Sequence, residues 1–190
     1  MITMYYGSNY NPYSYYPPYY PYPHPYEQPA YPYTEDRYYP PLSNEEMDRQ
    51  GDHGNQPYVF NIEHATERNR AFRRAVWTGQ HLQVTLMRLL PGEDIGLEIH
   101  PNTDQFIRVE DGRGVVQMGN RRNNLTFERR IREDDAILIP AGMWHNITNT
   151  GRESLHLYSI YAPPEHPRGT IHRTKQDAQH HHGNQHRAVD

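Results

Sequence analysis

The chain has 190 residues, a formal net charge of −4 at pH 7 and no cysteine. The small net charge argues against a nucleic-acid partner, and the absence of cysteine leaves nitrogen and oxygen ligands for any metal ion. No apolar run approaches the roughly 20 residues of a membrane-spanning helix, and the N-terminus lacks the basic start and apolar stretch of a secretory signal. We therefore expect a cytoplasmic protein with neither a membrane nor a nucleic-acid partner.

Residues 1–56 differ in composition from the rest of the chain. Residues 1–41 hold 14 of the 17 tyrosines and 10 of the 17 prolines, and residues 42–56 form a polar linker. Because proline fixes φ and lacks a backbone donor, this composition predicts a disordered, extended tail. Dense tyrosine suits stacking, adhesion or cross-linking, so protein-layer partners are expected. The composition resembles that of spore-coat and other surface-layer tails, which makes the spore coat the alternative location.

Residues 57–163 carry the pattern of an all-β domain. Short runs rich in β-branched and aromatic residues alternate with Gly, Pro and Asn turn signals. Many short strands at this spacing are typical of a sandwich or a barrel. A single helical turn is expected near residues 63–69. The predicted strands are 58–62, 71–77, 81–90, 97–100, 105–109, 114–118, 124–131, 136–139, 145–148 and 155–161.

Residues 164–190 are predicted to form a flexible, His-rich C-terminal tail. The prolines at 163, 164 and 167 are expected to end the last strand. A histidine run is able to bind metal loosely, although it is more typical of a solvated and compositionally biased chain end. The run consists of His180, His181, His182 and His186.

Four polar residues of the middle region are predicted to converge on one ion. Residues two apart on a strand share a face, so Glu98 and His100 are able to point inward together. Gln105 begins the strand after the PNTD turn, and His145 follows the PAGMW turn into another strand. One carboxylate and two imidazoles suit Fe, Mn or Ni, and Zn binds such ligands too. The amide of Gln105 is either a weak ligand or a partner of bound water or substrate.

A metal-free site is the alternative. His145 would then be a core histidine satisfied by hydrogen bonds. Glu98 would pair with Arg88 or Arg108, because an unpaired buried carboxylate costs several kcal/mol. The softer candidates for lining a pocket, of which the last two are favoured as polar groups, are Gln83, Thr85, Met87, Phe106, Met118, Trp144, His156 and Tyr158.

Segments 91–112 and 140–149 resemble the two signature motifs of the cupin superfamily. They read PGEDIGLEIHPNTDQFIRVEDG and PAGMWHNITN. Two ligand positions depart from the family pattern: Glu98 stands where a first histidine is expected, and Gln105 where the glutamate is expected. The charge of the ligand set is unchanged, because the carboxylate has moved from the third position to the first. The residues in register are Gly92, His100, Gly112, Pro140, Gly142, His145 and Asn149.

The resemblance implies a double-stranded β-helix, or jelly-roll barrel, that forms a homodimer and holds one divalent ion. The later part of the chain also resembles small bacterial single-domain cupins of the mannose-6-phosphate-isomerase-like group. The leading hypothesis is a metal-binding cupin acting on or binding a sugar or a hydroxy/keto acid, as an isomerase or a dioxygenase. The alternative is a non-catalytic, coat-associated scaffold whose Tyr/Pro tail mediates assembly. The implied metal ligands are Glu98, His100, Gln105 and His145.

Overall fold

The structure is a computed structural model that describes residues 51–179. The predictions for the Tyr/Pro-rich residues before 51 and for the histidine run from residue 180 lie outside the described residues. Neither helical segment within 51–179 is long and apolar enough to cross a membrane. A second helical stretch covers residues 175–179. The other elements, in chain order, are α1 (Ile62–Arg68), β1 (Arg73–Thr78), β2 (Gln83–Leu89), β3 (Asp104–Asp111), β4 (Arg113–Gly119), β5 (Phe127–Arg132), β6 (Ala136–Ile139), β7 (Trp144–Asn149), β8 (Leu155–Ala162) and β9 (Ile171–His172).

Two antiparallel sheets enclose the core. The larger sheet has the strand order β6-β3-β8-β2-β1-β9, and the smaller sheet has the order β5-β4-β7. Burial alternates along β3 and β7, so every second residue faces inward. This arrangement confirms the predicted all-β jelly-roll barrel. Both sheets contribute to the core, which includes Met87, Leu89, Ile107, Val109, Val116, Met118, Ile131, Ile137, Ile139, Ile147, Leu155 and Leu157.

The inward-facing residues change from apolar to polar along the barrel. On β8, two buried leucines are followed by Ser159 and Tyr161, which are also fully buried. On the antiparallel strand β2, Gln83 and Thr85 pair with Tyr161 and Ser159, respectively. Gln105 of β3 lies opposite Tyr161 on the other side of β8. One end of the barrel is therefore a hydrophobic core, and the other presents buried polar groups.

Two motif residues shape the loops at the apolar end. Gly112 turns the chain between β3 and β4 with a φ of 95°, and a Cβ there would lie 2.8 Å from the carbonyl oxygen of Ser154. The buried amide of Asn149 donates to the carbonyls of Leu89 and Glu153 at 2.9 and 2.8 Å. These residues stabilise the fold and do not contribute chemistry to the polar end.

Two of the predicted strands are wrong. Residues 58–62 lead into α1, because Asn61 caps that helix: its Oδ1 accepts a hydrogen bond from the backbone N–H of His64 at 2.9 Å. The helical turn predicted at 63–69 is confirmed by α1. Residues 97–100 form one isolated bridge in place of a strand, since Gly96 with a φ of 90° interrupts the extended chain.

The folded part continues past the predicted boundary at residue 163. Strand β9 pairs with β1 and extends the larger sheet. The buried side chain of Gln83 holds the same segment: its Nε2 donates to the carbonyl of His166 at 2.8 Å, and its Oε1 accepts from the His166 N–H at 2.9 Å. The expectation of a flexible tail from residue 164 therefore fails for residues 164–179, because distant side chains bind their backbone.

The end of the predicted linker also packs on the barrel. Asp52 accepts hydrogen bonds from the N–H groups of Gly54 and Gly169 at 2.8 and 2.9 Å, and from the hydroxyl of Thr78. Burial opposes ionisation of Asp52, but these donors hold its pKa below the usual value. The bonds join the N-terminal and C-terminal margins of the described chain.

We expect Gln83→Ala to lower the free energy of unfolding by about 2–4 kcal/mol, because two backbone groups of His166 lose their buried partner. The matched control is Gln117→Ala on β4, which removes an exposed hydrogen bond to Glu128. That control should change stability by less than about 1 kcal/mol. Urea unfolding followed by circular dichroism measures both, and equal effects would contradict the role given to Gln83.

Candidate functional site

Glu98, His100 and His145 meet at the polar end of the barrel. Glu98 and His145 exchange two backbone hydrogen bonds of 3.0 Å, and the N–H of Gly142 donates to the carbonyl of His100 at 2.8 Å. One carboxylate oxygen and two ring nitrogens lie within 4.8 Å of one another. The structure thus brings together three of the four predicted ligands, in an arrangement that could hold one ion.

Both imidazoles present Nε2 to the shared space. Nδ1 of His145 lies 2.9 Å from the carbonyl oxygen of Met143, which only accepts, so Nδ1 carries the proton. Nδ1 of His100 lies 3.1 Å from a carboxylate oxygen of Glu165. The two Nε2 atoms lie 3.4 and 3.5 Å from Oε1 of Glu98, which is too long for well-formed hydrogen bonds. Accordingly, neither Nε2 atom has a hydrogen-bond partner, and neither does Oε1.

These distances fit a divalent ion. Two donor atoms bound tetrahedrally at about 2.1 Å from one ion lie about 3.4 Å apart. Histidines that bind metal usually direct the other ring nitrogen to a carbonyl or a carboxylate. Nδ1 of His145 does so by its hydrogen bond to Met143, and Nδ1 of His100 lies in ion-pair range of Glu165. The unpartnered donor atoms and the fixed tautomer of His145 both match what a metal ion requires.

Arg73 is the charged partner of Glu98. Its Nη2 lies 3.4 Å from Oε2 of Glu98, and the arginine is fully buried on β1. The sequence-based alternatives, Arg88 and Arg108, are wrong. Arg108 is partly exposed and pairs with Asp134 at 2.6 Å instead. Because Arg73 contacts Oε2, Oε1 remains available to the two imidazoles.

Electrostatics keep both glutamates of the site ionised. Burial alone would raise the pKa of Glu98, but Arg73 and the two imidazoles hold it well below its ordinary value. Burial would lower the pKa of His100, yet contacts with Glu165 and Glu98 raise it to about 9. Burial likewise opposes ionisation of Glu165, and His100 lowers its pKa. Without an ion, a proton on His100 balances part of this negative charge.

Gln105 is buried in the same polar layer. Its Nε2 donates to the hydroxyl of Ser159 at 3.3 Å, and its Oε1 has no hydrogen-bond partner. The amide oxygen therefore lacks a protein partner, and Gln105 is not among the residues that line the cavity at this end of the barrel.

A cavity of about 600 Å³ opens onto this cluster. Part of its wall comes from residues 165–179, which the sequence assigned to the tail. Arg122 and Trp144 lie at its rim, with the guanidinium carbon 5.7 Å from the indole ring centroid. A small molecule in the cavity would touch Glu98 and His100 directly.

The two favoured polar pocket candidates lie on the other face of the sheet. Nδ1 of His156 lies 3.0 Å from the carbonyl of Thr66, beneath α1. Tyr158 packs against Phe106 with 6.2 Å between the ring centroids. Both predictions were wrong because the side chains of β8 alternate between the two faces of the sheet. His156 and Tyr158 follow inward-facing residues and therefore point away from the cavity. Of the softer candidates, Trp144 lines the cavity, and the two methionines belong to the core.

Three residues of the site escaped the sequence analysis. Arg73 and Glu165 come from β1 and from the segment after β8, so no motif marks them. Tyr161 packs edge-on against His100 at 5.5 Å between ring centroids, and burial raises its pKa to about 12. Its hydroxyl therefore stays protonated at neutral pH. The one available signal was the alternation of β8, which places Tyr161 on the same face as Ser159.

Comparisons with known proteins agree with this architecture. A family model described as "Cupin domain" matches residues 85–161. The uncharacterized protein YrkC of Bacillus subtilis (strain 168) is 61% identical over 127 residues, which cover 67% of this chain and 68% of YrkC. The chain belongs to the cupin superfamily. This cupin is also 43% identical over 118 residues to the uncharacterized protein L612 of Acanthamoeba polyphaga mimivirus, covering 62% of this chain and 72% of L612.

A crystal structure of BH2720 from Bacillus halodurans has the same fold. It shares 65% sequence identity with this cupin and a TM-score of 0.68, and the match covers 68% of this chain and 98% of that one. The similarity therefore includes both the sequence and the backbone of the barrel.

The raised pKa of His100 should make the stability of the metal-free cupin depend on pH. Its folded pKa of about 9 lies above the ordinary 6.5, so its contribution is complete below pH 6.5 and is lost as the pH rises through 9. We expect the free energy of unfolding of chelator-treated protein to fall over this interval. Glu165→Gln should reduce the fall, because the carboxylate charge beside His100 is removed.

Urea titrations at a series of pH values measure this dependence. Glu153→Gln is the matched control, since that glutamate is exposed and does not line the cavity. An unchanged pH slope in Glu165→Gln would refute the coupling between Glu165 and His100.

Proposed function

We propose that this cupin holds one divalent ion, Fe, Mn, Ni or Zn, through Glu98, His100 and His145. In the adjoining cavity it binds or acts on a small polar molecule, either a sugar or a hydroxy/keto acid. One observation carries the proposal: three buried donor atoms converge at metal-like spacing without hydrogen-bond partners. Leaving such atoms unpaired is costly, so the fold needs a ligand or a proton among them.

Different residues of the chain would have different roles at such a metal centre. Met143 holds the proton of His145 on Nδ1, which leaves the Nε2 lone pair for the site. The carboxylate of Glu165, 3.1 Å from Nδ1 of His100, would favour a proton on that nitrogen in the same way. Arg73 holds Oε2 of Glu98, which fixes the direction of Oε1. Gln105 offers an acceptor for a hydroxyl or a bound water. When bound, the ion supplies Lewis-acid chemistry that polarises a carbonyl or a hydroxyl.

Two reaction classes fit this arrangement. Two histidines and one carboxylate with open positions suit a non-haem Fe(II) dioxygenase. The resemblance to the mannose-6-phosphate-isomerase-like cupins favours a sugar isomerase. Weak ligation by Gln105 leaves room for substrate oxygens in either reaction.

A scaffold role in a protein layer is the second candidate, and the composition of residues 1–41 favours it. We expect deletion of residues 1–50 to release the protein from such a layer, because the tyrosines that would stack or cross-link are removed. Fractionation of cells or spores that produce either form measures this. Metal content should be the same in both forms. Unchanged localisation after the deletion would count against the scaffold role.

The metal proposal is tested by elemental analysis of the full-length chain with His180, His181, His182 and His186 replaced by asparagine. This parent should hold close to one Fe, Mn, Ni or Zn ion per chain. Adding His145→Ala should reduce the metal content to background, because one of the two imidazole ligands is lost.

His81→Ala in the same parent is the matched control, since His81 is exposed and does not line the cavity. Circular dichroism checks that all variants fold. A folded parent that contains no metal and resists loading with all four ions would overturn the proposal.

A further inference from the structure

Arg122 is a cation at the cavity rim that no described carboxylate neutralises. The other two formal cations of the cavity lining are paired: Arg73 with Glu98 at 3.4 Å, and Lys175 with Asp94 at 2.8 Å. Within residues 51–179, Arg122 forms no such ion pair. Its charge is therefore available to a ligand.

The position of Arg122 is fixed from two sides. It lies in the tight turn between β4 and β5, which is closed by a hydrogen bond of 3.0 Å from the N–H of Asn124 to the carbonyl of Arg121. Its guanidinium carbon lies 5.7 Å from the ring centroid of Trp144, within cation–π range. Trp144 directly precedes His145 on β7. The cation is thus held beside the strand that carries a proposed metal ligand.

The charges of the cavity favour an anion once an ion is bound. The two ion pairs cancel internally, and both imidazoles are neutral when they bind metal. The positive charges of a divalent ion and of Arg122 together then exceed the single negative charge of Glu165. A ligand that carries a carboxylate or a phosphate would offset this excess, whereas a neutral sugar would not.

We propose that Arg122 and Trp144 recognise the anionic group of the substrate, so that the substrate is a small hydroxylated acid or a phosphorylated sugar. The inference rests on the function proposed for the cavity and narrows its substrate class. A guanidinium forms paired hydrogen bonds with carboxylate or phosphate oxygens. The indole ring provides a flat apolar surface for the carbon skeleton next to that group.

Two matched ligand pairs test the inference by calorimetry on the metal-loaded, full-length chain. Gluconate and glucitol differ by a carboxylate, and glucose 6-phosphate and glucose differ by a phosphate. We expect at least one anion to bind about tenfold or more tightly than its neutral partner, as a charge-assisted hydrogen bond provides. The pair that shows the difference identifies the acid as a carboxylate or a phosphate.

Arg122→Gln should abolish this preference for the anion without changing the metal content. Arg122→Lys, which keeps the charge, should retain part of it. Arg121→Gln is the matched control, because that neighbouring arginine is exposed and does not line the cavity. It should bind all four compounds as the parent does.

Several outcomes would overturn the inference. These are equal binding of the two members in both pairs, an anion preference that survives Arg122→Gln, and no binding of any compound at millimolar concentration. The metal measurement separates this failure from failure of the proposed function. If the chain lacks metal but binds gluconate through Arg122, only the proposed metal centre is refuted. If the chain holds metal but binds charged and neutral ligands equally, only the role proposed for Arg122 and Trp144 is refuted.

Discussion

The carboxylate of Glu98, which is only 15% exposed, is the group on which the polar end of the barrel depends. A charge removed from water needs close partners, and removal of one partner of a buried pair costs about 3–5 kcal/mol. Arg73 on β1 meets one oxygen, and the imidazoles of His100 and His145 face the other. This requirement ties β1, β7 and the irregular segment before β3 together around one side chain.

The hydrophobic core and the polar site lie at opposite ends of the barrel. Its apolar end is filled by residues from both sheets and closed by tight loops. Its polar end buries donor and acceptor atoms that the protein alone does not satisfy, among them the amide oxygen of Gln105. The segment that contains Glu165 and His166 then covers this end, and Gln83 fixes that segment to β2. Part of the cavity wall is thus supplied by the segment that follows β8.

Membership of the cupin superfamily establishes the fold, and the side chains of the site must supply the argument for function. The carboxylate stands at Glu98 in place of a first histidine, and Gln105 occupies the place of the usual glutamate. The structure shows how the carboxylate and the amide act at these exchanged positions. Oε1 of Glu98 lies near both histidines, and Gln105 donates to Ser159 while its own amide oxygen has no hydrogen-bond partner. The carboxylate has therefore moved within the site, and the position that it left is held by a neutral group.

The sequence by itself determined the strand pattern of most of the barrel, because alternation and turn residues act over a few positions. The resemblance to the cupin motifs, and not the alternation, indicated that Glu98 and His100 meet His145. Only the tertiary structure decided that Arg73 is the partner of Glu98 and that Glu165 contacts His100. It also decided that the face of β8 that bears His156 packs under α1, outside the barrel. A strand pattern shows which residues share a face. Which distant segment packs against that face depends on contacts between residues far apart in the chain.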